Sequence, residues 1–238
     1  MTTIERLEAI AVYCGSSMGT NPAYVHAAVS LGRTMAARKR PLVYGGGSKG
    51  IMGVVSGAVL EEGGQVTGVV PSAMVAAGGE VEAGKPSGLY VKLSEPGREQ
   101  VKTIVVSSMH ERKVEMARRS CGFVGLPGGY GTFEEVFEAI TWTQIGIHNK
   151  PVVLVNVLGF YDPLRALIAS AISGGFIRQT HDKLVTFVDG PADRTQHETY
   201  DWGAAVVDAI DSWQPLDNGL YTWTAGHGDK PVDPLEQS

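Results

Sequence analysis

Short apolar runs rich in valine and isoleucine alternate along this chain with longer segments of helical periodicity. The runs do not alternate apolar with polar residues, which indicates strands that are buried on both faces. The pattern predicts strands at residues 9–14, 41–44, 65–70, 122–126, 152–157 and 184–188, and helices at residues 21–39, 50–62, 97–119, 132–145, 163–173 and 202–213. Strands that alternate with helices in this way form βαβ units with parallel strands. We therefore predict an α/β fold with a doubly wound parallel sheet.

The pattern weakens in two places. Residues 76–97 are rich in glycine, proline, serine and glutamate, which predicts an irregular segment. From residue 214 onward no periodicity is left. We therefore predict a single domain over residues 1–213 and a loosely attached tail over residues 214–238, in which Tyr221 and Trp223 are candidate contacts with the domain.

Composition excludes several classes of protein. A hydrophobic content of 43% is enough for a core and excludes a disordered chain. The formal net charge of −5 argues against a broad nucleic-acid surface. No apolar run approaches the roughly 18 residues that span a membrane, and the charged N-terminus does not resemble a secretory signal. We therefore expect a cytoplasmic protein that binds neither nucleic acid nor a membrane.

The cysteines and histidines do not indicate a metal site. Cys14 and Cys121 each border an apolar run, which predicts small buried thiols in a reducing compartment. The six histidines show no ligand-type spacing. We expect no metal.

Glycine is the most over-represented residue, with 31 in the chain. Three glycine clusters directly follow predicted strands; they are Gly15, the run at 45–47, and Gly128, Gly129 and Gly131. Ligands bind beyond the carboxyl ends of strands in an open parallel sheet, where glycine turns expose backbone N–H groups to anions. These clusters therefore predict a phosphate site. None of them has the spacing of the dinucleotide fingerprint or of the P-loop, so neither a dinucleotide cofactor nor an ATPase is indicated.

The third cluster leads into two adjacent carboxylates, Glu134 and Glu135. Thr132 and Glu135 have the spacing of a helix capping box, which is one interpretation of Glu135. The other interpretation is a carboxylate that orients water or stabilises positive charge on a sugar ring beside a phosphate-binding loop. The two glutamates point about 100° apart on a helix, so they cannot share one task.

Arg112 and Lys113 are adjacent cations at the centre of the segment MHERKVEM. They belong either to a solvated helix face, paired with Glu111 and Glu115, or to the site. In the second interpretation Arg112 points into the crevice and binds a phosphate or a ribose.

Four motifs together resemble one known family. They are PGGYGTFEE at 127–135, which has the pattern P-G-G-x-G-T-x-x-E, MHERK at 109–113, YGGGSKGIMG at 44–53 and TWTQIGIHNKPVVLVN at 141–156. They resemble the LOG (Lonely Guy) family of cytokinin riboside 5′-monophosphate phosphoribohydrolases, over about residues 10–188. The stretch at 89–108 departs from the family pattern, and Ser108 replaces a frequent aspartate.

The resemblance implies a Rossmann-like fold, a homodimer with the active site near its interface, and a nucleotide substrate. The implied reaction hydrolyses the N-glycosidic bond of an N6-substituted adenosine 5′-monophosphate, without a metal or redox cofactor. Arg112 and Glu135 are the implied catalytic pair. The implied contacts with phosphate or substrate are Gly15, Ser16, Gly45, Gly46, Met109, Lys113, Gly128, Gly129, Tyr130, Gly131, Thr132, Glu134 and Thr141.

Two alternatives remain open. One is a nucleotide sensor or carrier that has the same fold but no turnover. The other is a pyridoxal-phosphate decarboxylase, which is a label that relatives of the LOG family have carried. A decarboxylase needs a Schiff-base lysine, and Lys49, in its glycine loop, is the nearest candidate.

Overall fold

The computed structural model describes residues 8–75, 91, 97–215 and 233–236. They form one parallel sheet, with strands β1 (Ile10–Tyr13), β2 (Leu42–Tyr44), β3 (Val66–Pro71), β4 (Lys102–Val106), β5 (Gly122–Gly125), β6 (Val152–Val155) and β7 (Thr186–Val188). The helices are α1 (Pro22–Ala37), α2 (Gly50–Glu61), α3 (Met109–Arg119), α4 (Tyr130–Ile145), α5 (Asp162–Ser173) and α6 (Trp202–Ser212). The predicted α/β fold is confirmed.

The strand order is β4-β3-β2-β1-β5-β6-β7, with β1 at the centre. The chain builds the sheet outward from β1 to β4, then returns to pair β5 with the other side of β1. The direction of winding therefore reverses between β1 and β5, and this reversal opens a crevice at the carboxyl edge.

The strands are buried on both faces, as their uninterrupted apolar runs predict. In β1, Ile10 and Val12 pack into the core on the side of α1, α2 and α6. Ala11 and Tyr13, which alternate with them, pack into the second core on the side of α3 and α4. Because successive side chains of a strand point to opposite faces, a sheet covered by helices on both faces needs apolar residues at every position.

The predicted helix at 97–119 is wrong in its first half. Residues 102–106 form the edge strand β4, which pairs with β3, and the helix begins only at Met109. The segment contains Thr, Ile and two Val residues, which favour a strand. Lys102 and Val105 are exposed because an edge strand has a neighbour on one side only.

The segment at 233–236 packs against the domain. Leu235 is 7% exposed and lies in the core on the α3 and α4 side. The Asp233 carboxylate accepts a hydrogen bond of 2.9 Å from Arg118. The division at residue 213 stays a prediction, and Tyr221, Trp223 and most of the irregular segment at 76–97 lie outside the described residues.

The helices in the described ranges include none that is long and apolar enough to span a membrane.

The crossing of α1 over α2 depends on Gly32. A Cβ atom there would lie 2.6 Å from the Val55 carbonyl oxygen and 2.7 Å from Ala58 Cβ. We expect Gly32→Ala to lower the free energy of unfolding by about 1–3 kcal/mol, because the two helices must separate. Urea unfolding measures this change. Gly57→Ala is the matched control, since nothing lies within 4 Å of a Cβ there. Equal stability of the two variants would contradict the close helix contact.

Candidate active site

A cavity of about 330 Å³ lies at the carboxyl edge of the sheet, where β2, β1 and β5 end side by side. All three glycine clusters of the sequence follow these neighbouring strands. The residues that line the cavity are Val12, Tyr13, Cys14, Gly15, Ser16, Gly45, Gly47, Ser48, Lys49, Met52, Met74, Val91, Met109, Arg112, Gly129, Tyr130, Gly131, Thr132, Glu134 and Glu135.

The loops that follow β1 and β5 touch each other through their backbones. The Gly15 N–H donates a hydrogen bond of 3.1 Å to the Pro127 carbonyl. A Cβ atom on Gly15 would lie 3.3 Å from Gly128 Cα, and a Cβ on Gly128 would lie 2.8 Å from the Gly15 nitrogen. A side chain at either position would therefore push the two loops apart.

Two backbone N–H groups in the first turn of α2 are bound by the loop that follows β1. Ile51 N–H donates to the Ser17 carbonyl at 3.4 Å, and Met52 N–H donates to the Gly15 carbonyl at 3.3 Å. Gly46 turns away with φ of +80° and packs against β3, where a Cβ on Gly68 would lie 2.8 Å from Gly46 Cα. The start of α2 is therefore held by the β1 loop, while Gly46 of the second glycine cluster packs against β3.

The N-terminus of α4 is open. The N–H groups of Gly131 and Thr132 donate to no other residue in the described part of the chain. A Cβ on Gly129 or Gly131 would meet nothing within 4 Å. Free N–H groups and the partial positive charge of a helix N-terminus together form an anion site.

The capping box predicted for Thr132 and Glu135 is wrong. The helix begins at Tyr130, with Gly129 in the N-cap position, so both residues lie inside the helix. Thr132 is 3% exposed and its side chain packs beside Gly128. Glu135 is therefore available for another role.

Arg112 of α3 faces Glu135 of α4. Arg112 Nη2 lies 3.1 Å from Glu135 Oε1, and the two side chains are 12% and 8% exposed. Arg112 Nε and Glu135 Oε1 are buried, yet neither has a hydrogen-bond partner among the described residues. Arg112 and Glu135 thus form an ion pair without an aligned hydrogen bond. Polar atoms of both side chains therefore remain available to a ligand.

Gly45 makes room for this pair. A Cβ atom at position 45 would overlap the guanidinium of Arg112. The end of β2 therefore supports the position of a side chain that comes from α3.

Burial raises the pKa of Glu135 to about 6. The positive charge of Arg112 opposes this rise, and the negative charge of Glu134 adds to it. Burial and the nearby Glu135 also raise the pKa of Tyr13 well above its ordinary value. At neutral pH Glu135 is therefore mostly ionised, while Tyr13 remains neutral.

Lys113 forms a second set of ion pairs between the same helices. Its Nζ lies 2.5 Å from Glu134 Oε1 and 2.9 Å from Glu138 Oε1. The interpretation of the two cations as a solvated face paired with Glu111 and Glu115 is wrong. Glu111 instead accepts hydrogen bonds from Ser107, and Glu115 pairs with Arg119.

Most of the predicted site residues come together, and four do not line this cavity. Gly46 packs on β3, Lys113 lies behind Glu134, and the Thr141 hydroxyl donates to the Phe137 carbonyl along α4. Gly128 borders a second cavity of about 290 Å³ beside Tyr24 and Phe160.

Ser48, Met52, Met74 and Val91 also line the cavity, although the sequence did not assign them to a site, and so does Lys49, which it named only as the decarboxylase candidate. Ser48, Lys49 and Met52 lie within the quoted motif YGGGSKGIMG, so a signal for them existed. Met74 and Val91 lie outside the four quoted motifs, so the sequence held no signal for them. Among the described side chains, no group of three or more His, Cys, Asp or Glu residues is placed to hold a metal ion.

The burial of Glu135 makes stability depend on pH. Its pKa is about 6 in the folded state and near 4.5 in the unfolded chain, so the folded protein holds the proton more tightly. Relative to Glu135→Gln, the wild type is therefore most stable below about pH 4.5 and loses stability as the pH rises through about 6. We expect a loss of about 2 kcal/mol, at roughly 1.4 kcal/mol per pH unit.

Urea unfolding of both proteins across this pH range measures the difference. Glu135→Gln keeps the size of the side chain and removes its titration, so the difference between the two proteins reports the protonation of Glu135. Parallel curves for the two proteins would contradict the raised pKa of Glu135.

Comparison with known proteins gives a consistent assignment. Residues 52–197 match the family model described as "Possible lysine decarboxylase". A probable cytokinin riboside 5′-monophosphate phosphoribohydrolase of Oryza sativa subsp. japonica is 49% identical over 191 residues, which cover 78% of this chain and 74% of the relative. A cytokinin riboside 5′-monophosphate phosphoribohydrolase of Arabidopsis thaliana is 37% identical over 232 residues, which cover 98% of this chain and 90% of the relative.

Solved structures share the fold. The Moco carrier protein of Chlamydomonas reinhardtii has a TM-score of 0.53 at 23% identity, covering 87% of this chain and 100% of that one. The molybdenum cofactor binding protein of Rippkaea orientalis has a TM-score of 0.53 at 17% identity, covering 87% of this chain and 98% of that one. At these identities the likeness concerns the fold alone. The family model and the sequence relatives show that this chain belongs to the LOG family of cytokinin riboside 5′-monophosphate phosphoribohydrolases.

Proposed function

We propose that this protein hydrolyses the N-glycosidic bond of N6-substituted adenosine 5′-monophosphates and releases the free base and ribose 5-phosphate. The observation that carries the proposal is the buried pair of Arg112 and Glu135 in the cavity that the open N-terminus of α4 borders. A carboxylate, a guanidinium and an anion site in one cavity are the groups that this reaction needs. The relatives named above carry this activity in their names.

The open N-terminus of α4 binds the 5′-phosphate. The N–H groups of Gly131 and Thr132 donate to phosphate oxygens, and Gly129 and Gly131 let the phosphate approach the backbone closely. Binding of this remote group orients the ribose, so that binding energy supports the chemical step.

Glu135 and Arg112 act on the bond between ribose and base. Cleavage of this bond passes through an oxocarbenium-like state, as in glycoside hydrolysis. The Glu135 carboxylate stabilises the positive charge on the sugar and accepts a proton from the attacking water, whose oxygen bonds to C1′. Arg112 binds the nucleotide and stabilises the electron pair that leaves with the base, which then takes up a proton. Water is the only co-reactant.

The surroundings of the cavity support a homodimer. Met109, Tyr130 and Phe137 expose large apolar side chains on α3 and α4, and Tyr130 is 91% exposed. Apolar side chains grouped beside a site are typical of interaction surfaces. We place the contact with a second copy on this face, next to the substrate. The unpaired Cys14 and Cys121 agree with a reducing, cytoplasmic location.

Release of free base from a panel of nucleotides tests the function. We expect the wild type to cleave isopentenyladenosine 5′-monophosphate, and to cleave the matching nucleoside at least about 100-fold less efficiently, because the nucleoside lacks the phosphate. Glu135→Gln should lose activity by at least about 100-fold. Glu115→Gln, which changes a carboxylate paired with Arg119 outside the cavity, is the control.

Three results would redirect the proposal. Full activity of Glu135→Gln would contradict the role of Glu135. Nucleotide binding in calorimetry without any base release would favour a sensor or carrier. Release of carbon dioxide from lysine in the presence of pyridoxal phosphate, with an absorbing aldimine, would favour the decarboxylase.

Gly45→Ala tests whether the position of Arg112 limits catalysis. The added methyl group overlaps the flexible end of the Arg112 side chain, so the guanidinium moves while the fold remains. We expect kcat/KM to fall at least about 10-fold, with little change in thermal stability. Gly57→Ala on α2 is the matched control and should keep full activity, since its methyl group meets no atom within 4 Å. Unchanged kinetics of Gly45→Ala would show that the position of Arg112 is not limiting.

A further inference from the structure

Lys113 occupies an unusual place beside the catalytic pair. It follows Arg112 on α3, its side chain is only 12% exposed, and its ammonium lies between two carboxylates of α4, at 2.5 Å from Glu134 and 2.9 Å from Glu138. It is absent from the lining of the cavity. A buried cation that does not reach the substrate cavity needs another explanation for its position.

The charges around Glu135 suggest that explanation. The titratable groups that face it are Arg112 and Lys113 from α3, Glu134 and Glu138 from α4, Tyr13 at the end of β1 and Cys14 directly after it. Burial holds Tyr13 and Cys14 neutral by raising the pKa of each. Three carboxylates therefore face two cations at neutral pH. Without Lys113, Glu135 would share its surroundings with two uncompensated anions.

We propose that Lys113 is a positioning residue that neutralises Glu134 and Glu138, so that the buried Glu135 stays ionised at neutral pH. The inference rests on the hydrolytic role proposed for Glu135, because only the ionised carboxylate stabilises a cationic sugar and accepts a proton from water. The close ion pairs also join α3 to α4 next to Arg112 and Glu135, and thereby hold the catalytic pair in position.

The size of the effect follows from the exposure of the carboxylates. An opposite charge within a few ångströms shifts the pKa of a carboxyl group by about 1–3 units. Lys113 acts on Glu135 partly through Glu134 and Glu138, which are 52% and 24% exposed and thus partly screened by water. We therefore expect Lys113 to lower the pKa of Glu135 by about one pH unit.

Two other roles for Lys113 make different predictions. A lysine that contacts the substrate would, when replaced, raise KM at every pH. A lysine that only ties two helices together would, when replaced, lower activity by the same factor at every pH. If Lys113 instead neutralises Glu134 and Glu138, its replacement moves the acidic limb of the pH profile of kcat/KM and leaves the alkaline plateau in place.

The first experiment measures kcat/KM for base release between about pH 5 and about pH 9 in the wild type, Lys113→Met and Lys113→Arg. We expect the acidic midpoint to move from about 6 to about 7 in Lys113→Met. Activity at pH 6 should then fall about fivefold relative to the wild type, and the two should agree within about twofold at pH 8.5. Lys113→Arg keeps the charge and should restore the wild-type profile. Lys102→Met, at an exposed lysine on β4, is the control.

A second variant moves the midpoint in the opposite direction. In Glu134→Gln/Glu138→Gln the positive charge of Lys113 is no longer neutralised and acts on Glu135. We expect the acidic midpoint to fall below that of the wild type. An unmoved midpoint in both variants, with activity lowered evenly at every pH, would overturn the inference.

A stability measurement separates this inference from the proposed function. The pH dependence of the difference in unfolding free energy between a protein and its Glu135→Gln variant reports the protonation of Glu135 without any turnover. We expect the midpoint of this difference to rise by about one pH unit when both proteins also carry Lys113→Met. If the wild type releases no base but this midpoint moves, the proposed function fails and the electrostatic role of Lys113 stands. If the wild type is active and the midpoint does not move, the inference about Lys113 fails alone.

Discussion

The backbone contact between the loops after β1 and β5 determines where the cavity lies and which groups face it. Gly15 and Gly128 approach so closely that neither position accommodates a side chain. These loops follow the two strands between which the winding of the sheet reverses, so α1 and α4 leave toward opposite faces. The crevice between them is the place where doubly wound sheets bind ligands. Loosening this contact would move the start of α4, and with it the anion site and Glu135.

Two glycine-rich helix starts border the same cavity, but they have different tasks. The first N–H groups of α2 are bound by carbonyls of the β1 loop, so this helix start holds the loop in place. The first N–H groups of α4 remain open. A phosphate fits the start of α4, because the N–H groups of Gly131 and Thr132 donate to no other residue in the described ranges. The difference also explains why glycine-rich sequence alone does not locate an anion site.

Burial disfavours the charged forms of the side chains in the site, and ion pairs between α3 and α4 offset this cost. Arg112 faces Glu135, and Lys113 faces Glu134 and Glu138, so the contact between α3 and α4 consists of two adjacent sets of ion pairs. The inner set lacks aligned hydrogen bonds and keeps polar atoms for a ligand. The outer set is satisfied internally. The pKa of Glu135, about 6, lies close to neutral pH, so this carboxylate exchanges a proton readily.

The sequence by itself determined the sheet, the order of most elements and the candidate residues. Runs buried on both faces and glycines at strand ends are local features, so the sequence shows them directly. Local pattern missed β4, because an edge strand half exposed to solvent lacks the uninterrupted apolar run of a central strand. It also allowed a helix cap at Thr132 and Glu135 as one interpretation, since spacing along the chain cannot show that the helix already begins at Tyr130. Only the tertiary structure decided which cation meets which carboxylate and which glycines face open space, because these outcomes depend on how α2, α3 and α4 pack around the ends of three neighbouring strands.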